Sequence, residues 1–362
     1  MAKDNINENN AVSDFFDGGG YRFQNVELMR FVGILLIMMH HCYILGYSGA
    51  YPGYNCWVWV DFYFILTGAF TYRHYIHKQN QIKDCGNEAL RYTFNKFRKF
   101  LPYTIIAVLS QYIISNIGAL TEGGWKAFIC GFFDFPLEII YLSSSGIVSA
   151  RLAPIWFLSA MFIVLPLIVY IMNKHPELWK ILVLTVPILY FGRMGINTSR
   201  AWPNDMVRAF ACISLGSFAY MASREIAKKR YGIIGEFLLT LFETGSCVLA
   251  LYISITNVLS AINLMELLFL VIIALMLSGA TYSSTINSRF VRFLGEISMP
   301  MFIFHWAVGS MVGYFTENLR LRALLYYIVT IVIGIVATCL TNLLKQRLVC
   351  KNSGNEHVME EI

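Results

Sequence analysis

An arginine and a histidine stand eleven residues apart inside one apolar run, Glu27-Leu-Met-Arg30-Phe-Val-Gly-Ile-Leu-Leu-Ile-Met-Met-His40-His41. At about 100° per residue, eleven positions make about three turns, so Arg30 and His41 share a helix face, roughly 16 Å apart along the axis. His40 falls about 80° off that face. A charged side chain at the centre of a membrane helix costs about 2.5–3.5 kcal/mol, which makes each such residue a functional candidate. An imidazole exchanges a proton near neutral pH and so suits a general base. It also serves as a neutral hydrogen-bonding bridge between helices. Asp61 begins the next apolar run and offers a carboxylate, either to a histidine or to the headgroup region. Lys96, Arg98 and Lys99 precede a third run. His305 lies about eight residues into a late run, roughly 12 Å deep, too far in to snorkel. It is either a hydrogen-bonding support or a member of the site.

These residues need helices to position them, and the composition supplies a membrane setting. The chain has 362 residues, 57% hydrophobic and only 14% charged, against about 25% charged in a soluble domain. The recurrent apolar segments, near 20 residues each, predict an all-α polytopic membrane bundle. They run roughly over 26–46, 57–76, 100–118, 154–172, 179–192, 205–222, 233–256, 262–282, 297–316 and 322–344. Residues 1–25 are polar, without the apolar core of a cleaved signal, and read as a flexible cytoplasmic tail. Residues 26–346 form the membrane domain and 347–362 a second cytoplasmic tail. The net charge of +6 does not point to nucleic acid, because the cations cluster between apolar runs. The eight cysteines are scattered without a Cys/His cluster, so neither a metal site nor a disulfide framework is expected.

Positive charge sets the expected topology. Arg73, Lys78, Lys83, Arg91, Lys96, Arg98 and Lys99 mark the second inter-span segment as cytoplasmic, and Arg224 to Arg230 mark another. An even number of crossings must separate them. The runs from 100, 154, 179 and 205 supply four, so the ambiguous stretch 127–143, with Asp134, Pro136 and Glu138, reads as interfacial or re-entrant. Ten spans with both termini cytoplasmic follow. Arg30 then lies near the cytoplasmic face, while His41 and Asp61 stand level in the outer half on consecutive antiparallel helices. The aromatics around the intervening loop, Tyr47, Tyr51, Tyr54, Trp57 and Trp59, read as an interfacial belt or as a stacking surface for a sugar.

Several segments resemble one family. Arg30-x10-His41 is similar to a first-helix signature. Val60-Asp61-Phe62-Tyr63-Phe64-Ile65-Leu66-Thr67-Gly68 resembles a Val-Asp-x-Phe-Phe-x-Leu-Ser-Gly segment. Lys96-Phe97-Arg98-Lys99-Phe100-Leu101-Pro102 resembles Arg-x-x-Arg-x-x-Pro, with lysines for both arginines. Leu294-Gly295-Glu296-Ile297-Ser298 through Phe304-His305 resembles a late Leu-Gly-x-x-Ser-x-x-x-Tyr-Leu-x-His segment, with Phe302 at the usual Tyr. Trp156-Phe157-Leu158-Ser159 is a weaker match. In order and spacing these resemble the acyltransferase-3 family of integral-membrane acyltransferases, over roughly residues 25–345.

The resemblance implies a bacterial multi-pass plasma-membrane enzyme. It would move a short acyl group, acetyl first among them, from cytoplasmic acyl-CoA to a hydroxyl of an extracytoplasmic or lipid-linked carbohydrate. Acyl-CoA would be a donor substrate, with no permanently bound cofactor. The partners would be membrane lipids and a carbohydrate or glycolipid acceptor. His41 would be the general base and Asp61 its orienting carboxylate. Arg30, Lys96, Arg98 and Lys99 would meet the donor's phosphates, although lysine lacks the bidentate fork of arginine. Trp156, Ser298 and His305 would bind substrate or support the site. The extra extracytoplasmic hydrolase-like domain of some members is not expected. The rival class is a transporter or flippase of lipid-linked oligosaccharide. Such folds commonly show internal repeats, and no convincing repeat relates the two halves here.

Overall fold

The computed structural model describes residues 23–48, 51–117, 134–145, 152–194, 204–256 and 262–359, with single positions between them. These residues are helical, with no strand among them. The α-helices are α1 Gln24–His40, α2 Trp59–Lys78, α3 Cys85–Ser115, α4 Asp134–Ile139, α5 Ile155–Lys174 and α6 Pro176–Met194. Then come α7 Asn204–Ala227, α8 Ile233–Thr256, α9 Ile262–Ser278, α10 Arg289–Val312 and α11 Leu319–Met359. Each of the ten apolar segments falls on one of the long helices. Five of these are long and apolar enough to cross a membrane: Gln24–Leu45, Ile155–Lys174, Asp205–Ala227, Ile233–Thr256 and Leu319–Leu344. The helices that carry Asp61 and His305, α2 and α10, are not among the five.

Several boundaries differ from the sequence expectation. Gln24 and Asn25, assigned to the tail, are helical and buried. Asn25 donates to the Met276 carbonyl at 3.1 Å, and Gln24 donates to Asn287 Oδ1 at 3.1 Å. Those bonds anchor the start of α1 to the α9–α10 connection. Residues 1–22 of the expected tail lie outside the described residues. The basic stretch before the third apolar run is itself helical. Asp84 caps it by accepting from the backbone N–H of Gly86 and Asn87 at 2.9 and 3.0 Å, so α3 starts fifteen residues before Phe100. The backbone of α11 continues through most of the expected C-terminal tail. Of the ambiguous 127–143 stretch, the described part is the six-residue α4 and the turn after it, too short to cross a bilayer.

Helix α7 sits centrally, packing closely on α2 and also on α5, α6 and α9. A second centre joins α10 to α1, α3 and α11. The α2–α7 contact brings backbone against backbone. A Cβ on Gly68 would strike the Ile213 carbonyl, and one on Gly216 would strike the Ile65 carbonyl. Small residues permit such an approach between helices in lipid, where dispersion replaces the hydrophobic effect as the driving force. At the periphery, α8 and α11 bury only 28% and 22% of their apolar windows. Ile233, Ile234, Leu241 and Phe242 are among the side chains left outside. Apolar faces of that extent suit lipid rather than water.

The reciprocal glycine contact makes Gly216→Ala a severe change. Methyl-against-carbonyl overlap forces α2 and α7 apart, at about 1–3 kcal/mol or more. A clear fall in the melting temperature of the detergent-purified protein is expected. An unchanged melting temperature would show that the two helices do not pack this closely.

Candidate functional site

His41 stands where α1 gives way to a tighter 3-10 turn, His41–Leu45. Its Nδ1 lies 3.0 Å from Nε2 of His305 on α10. His305 is wholly buried, and its own Nδ1 lies 2.7 Å from the Phe302 carbonyl oxygen. A carbonyl oxygen only accepts, so the hydrogen of neutral His305 sits on Nδ1. Its Nε2 is then bare and accepts from the Nδ1–H of His41. The remaining nitrogen of His41, Nε2, is left with its lone pair and has no side-chain partner among the described residues. One backbone carbonyl thereby fixes the tautomers of two rings. The group positioned this way is a proton acceptor on a partly exposed residue, with a neutral imidazole behind it to accept from the cation once a proton arrives.

The turn that carries His41 is tied to the helix that carries His305. Arg322, near the start of α11, donates to the carbonyls of Leu45 at 3.0 Å, Gly313 at 3.2 Å and Thr316 at 2.5 Å. It also pairs with Glu317 at 3.0 Å. The Tyr51 hydroxyl donates to the His40 carbonyl, and Tyr47 donates to the Leu319 carbonyl at 3.3 Å. Lower down, Tyr327 donates to the Leu35 carbonyl at 3.3 Å. Ser298, expected at the site, is buried and returns its hydroxyl to the Gly295 carbonyl at 2.6 Å. It supports α10 and presents nothing to a ligand.

Asp61 does not hold His41. Its two carboxylate oxygens accept from Nε and Nη2 of Arg208 on α7, at 2.7 and 2.8 Å. The Cys212 thiol adds a contact at 3.4 Å. Both members of the pair are buried. The Arg208 guanidinium lies over the rings of Trp57 and Trp156, 4.9 and 5.5 Å from their centroids. The expected His41–Asp61 couple is therefore replaced by two pairs, His41–His305 and Asp61–Arg208. The physical reason is charge. A buried arginine needs a carboxylate, and a planar fork meets both oxygens at once. Trp156 faces this arginine. Arg208 lies inside the 205–222 apolar run, but 147 positions separate it from its partner and no periodicity links them.

Arg30 pairs with Glu27 through Nη1 and Oε2 at 2.7 Å, as their spacing of three suggests. The Tyr63 hydroxyl donates to the Arg30 carbonyl. Glu27 is pressed against Gly295, where a Cβ would meet its carboxylate. Arg30 keeps 27% of its side chain exposed. Lys96, Arg98 and Lys99 lie on α3, which packs on α5 and α10. Lys96 sits over the Tyr92 ring, its ammonium 5.1 Å from the centroid, while Arg98 and Lys99 are exposed. In the same basic stretch, Glu88 is buried and bonded by His74 Nε2 at 3.1 Å and by Arg91.

A bundle of long apolar helices, with an imidazole pair at the end of the first, defines the class, a helical membrane protein. The family model described as the acyltransferase domain matches residues 23–342, nearly the whole chain, and the chain belongs to the acyltransferase-3 family. Comparison with curated proteins and with solved structures gave no match.

Two outcomes follow from these pairings. Asp61→Ala leaves Arg208 buried without its carboxylate, and a destabilisation of about 3–5 kcal/mol is expected in denaturant titration. Replacing both residues with leucine should recover much of it. A stable Asp61→Ala protein would mean that the pair does not hold α2 to α7. Burial pushes the Glu88 carboxyl up, but its hydrogen bonds from His74 and Arg91 outweigh this and hold it below the usual carboxylate range. A depressed folded-state pKa stabilises above the unfolded value of about 4.3, and the contribution is lost as pH falls through the folded value. Proteolysis of the 79–84 connection between α2 and α3 should therefore speed up below about pH 4. Glu88→Gln should remove that pH step.

Proposed function

We propose that this chain is a membrane O-acyltransferase that moves a short acyl group, acetyl first among them, from cytoplasmic acyl-CoA to a carbohydrate hydroxyl. The acceptor is extracytoplasmic or lipid-linked. The observation that carries the reading is the unengaged Nε2 of His41, held by His305 as a bare acceptor. Family membership makes acyl transfer the reaction class. In this reading the chain crosses a bacterial plasma membrane ten times with both termini cytoplasmic, and His41 lies in the outer half.

The step is written in full as follows. The acceptor hydroxyl gives its proton to Nε2 of His41 while its oxygen attacks the thioester carbonyl carbon. A new C–O bond forms, the C–S bond breaks, and the thiolate leaves. The imidazolium keeps its Nδ1–H bonded to His305 and then returns the proton to the thiolate. Arg30, Lys96, Arg98 and Lys99 offer positive charge for the donor's phosphates. Asp61 contributes by holding Arg208. His305 acts through His41 as a positioning residue. Proton-coupled transporters also use buried histidines, so family membership is what favours acyl transfer over a flippase of lipid-linked oligosaccharide.

The test uses membranes bearing the full chain, radiolabelled acetyl-CoA and envelope glycan from a strain lacking the protein. Loss of the base should lower transfer by about 10²–10⁴-fold in His41→Ala at normal protein level. His305→Ala should lose less and should shift the pH–rate profile. Full transfer by His41→Ala would overturn the assignment. Whole glycan units lost or accumulated in the deletion strain, with no missing ester, would favour transport.

A further inference from the structure

The aromatic residues near His41 divide into two kinds. Tyr47, Tyr51 and Tyr327 give their hydroxyls to backbone carbonyls. They hold the fold. Tyr43, Tyr54 and Trp306 do not. The Tyr43 and Tyr54 hydroxyls and the Trp306 indole N–H form no hydrogen bond among the described residues. Tyr43 and Tyr54 are 43% and 45% exposed. Trp306 is partly exposed, and its N–H is not among the enclosed polar atoms that lack a partner.

Two of these, Trp306 and Tyr43, lie against the base. The His41 ring lies 5.3 Å from Trp306, edge to face, and 5.8 Å from Tyr43. Tyr43 and Trp306 are themselves 6.0 Å apart. Tyr54 lies one ring further, 5.7 Å from His40. The His40 ring packs within the same group, 4.8 Å from His41 and 5.7 Å from both Tyr43 and Tyr54, and its Nδ1 is engaged with the Tyr54 carbonyl oxygen at 2.5 Å. The His41 ring thus sits in a cluster of aromatic rings that carry three polar groups without a hydrogen bond among the described residues. Aromatic side chains with a polar tip suit a surface that is apolar on one side and wet on the other. A cyclic polyol has that character, with C–H groups on its ring faces and hydroxyls around its rim.

We propose that Tyr43, Trp306 and Tyr54 form the acceptor subsite, binding the face of a sugar ring so that one ring hydroxyl reaches Nε2 of His41. This rests on the acyl-transfer reading above and adds the groups that select the acceptor. The phenols and the indole N–H bond neighbouring hydroxyls of the same sugar. The rings exclude water from the nitrogen that takes the proton, which favours the sugar hydroxyl over water as nucleophile.

The experiment measures transfer from radiolabelled acetyl-CoA at varied concentrations of the unacylated envelope glycan, using the full chain in membranes. Tyr43→Ala and Trp306→Leu should each raise the KM for glycan about tenfold. The KM for acetyl-CoA should stay put, and kcat should fall less than the KM rises. Tyr43→Phe and Trp306→Phe keep a ring and should recover most of the affinity. They also guard against variants that merely fail to fold. Hydrolysis of acetyl-CoA without glycan should rise in Trp306→Leu. An unchanged glycan KM in both truncation variants, or a rise in the acetyl-CoA KM instead, overturns the subsite. If the unaltered chain transfers nothing to glycan, the functional reading itself falls. If it transfers and His41→Ala does not, while Tyr43→Ala and Trp306→Leu behave as the unaltered chain, the subsite alone is wrong.

Discussion

A buried ionisable group between apolar helices must find its partner on another helix, because no water is there to serve it. That constraint produces the pairing of Asp61 with Arg208. The pair joins α2 to α7, and those two helices also touch backbone to backbone at Gly68 and Gly216. The charge contact needs the helices close, and the glycines let them come close. Trp57 and Trp156 border the guanidinium. They add cation–π attraction while filling space that would otherwise admit lipid or water. The same constraint, acting on neutral groups, produces the His41–His305 pair between α1 and α10.

The two pairs are built differently, and the difference suits different work. The Asp61–Arg208 pair is closed, with both carboxylate oxygens bonded and both side chains buried. The histidine pair is open at one end. His305 is locked by its own helix through Phe302, and the lock is passed to His41, whose far nitrogen has no side-chain partner among the described residues. A proton taken there leaves a cation whose remaining N–H already has an acceptor. Arg322 and the tyrosines that follow α1 keep the two rings in register, since they bond carbonyls on both sides of the gap. Rigidity comes from closed contacts around a single open one.

Much of the architecture was legible in the sequence. Ten apolar runs became ten long helices because a run of that length in lipid has helix as its stable form. The Glu27–Arg30 pair was legible because a spacing of three puts two side chains side by side on one turn. His41 and His305 were both visible as polar residues where polarity is costly. The start of α3 was missed because charged residues were read as a connection, although Asp84 caps a helix there. Asp61 was assigned to His41 from their shared depth and from the family resemblance. Depth puts two residues level but does not say which neighbouring helix each one faces.

The chain by itself determined which segments are helices, which residues are too costly to lie in lipid without a role, and the family to which they belong. These follow from local composition, period and motif order. The tertiary structure alone decided that Asp61 belongs to Arg208 and His41 to His305, across separations of 147 and 264 residues. It alone decided that Ser298 serves its own helix and that Trp306 packs against the His41 ring. Helix rotation and packing set those choices, and both are properties of the assembled bundle. Periodicity fixes which face of a helix a residue occupies. It leaves open what that face will meet.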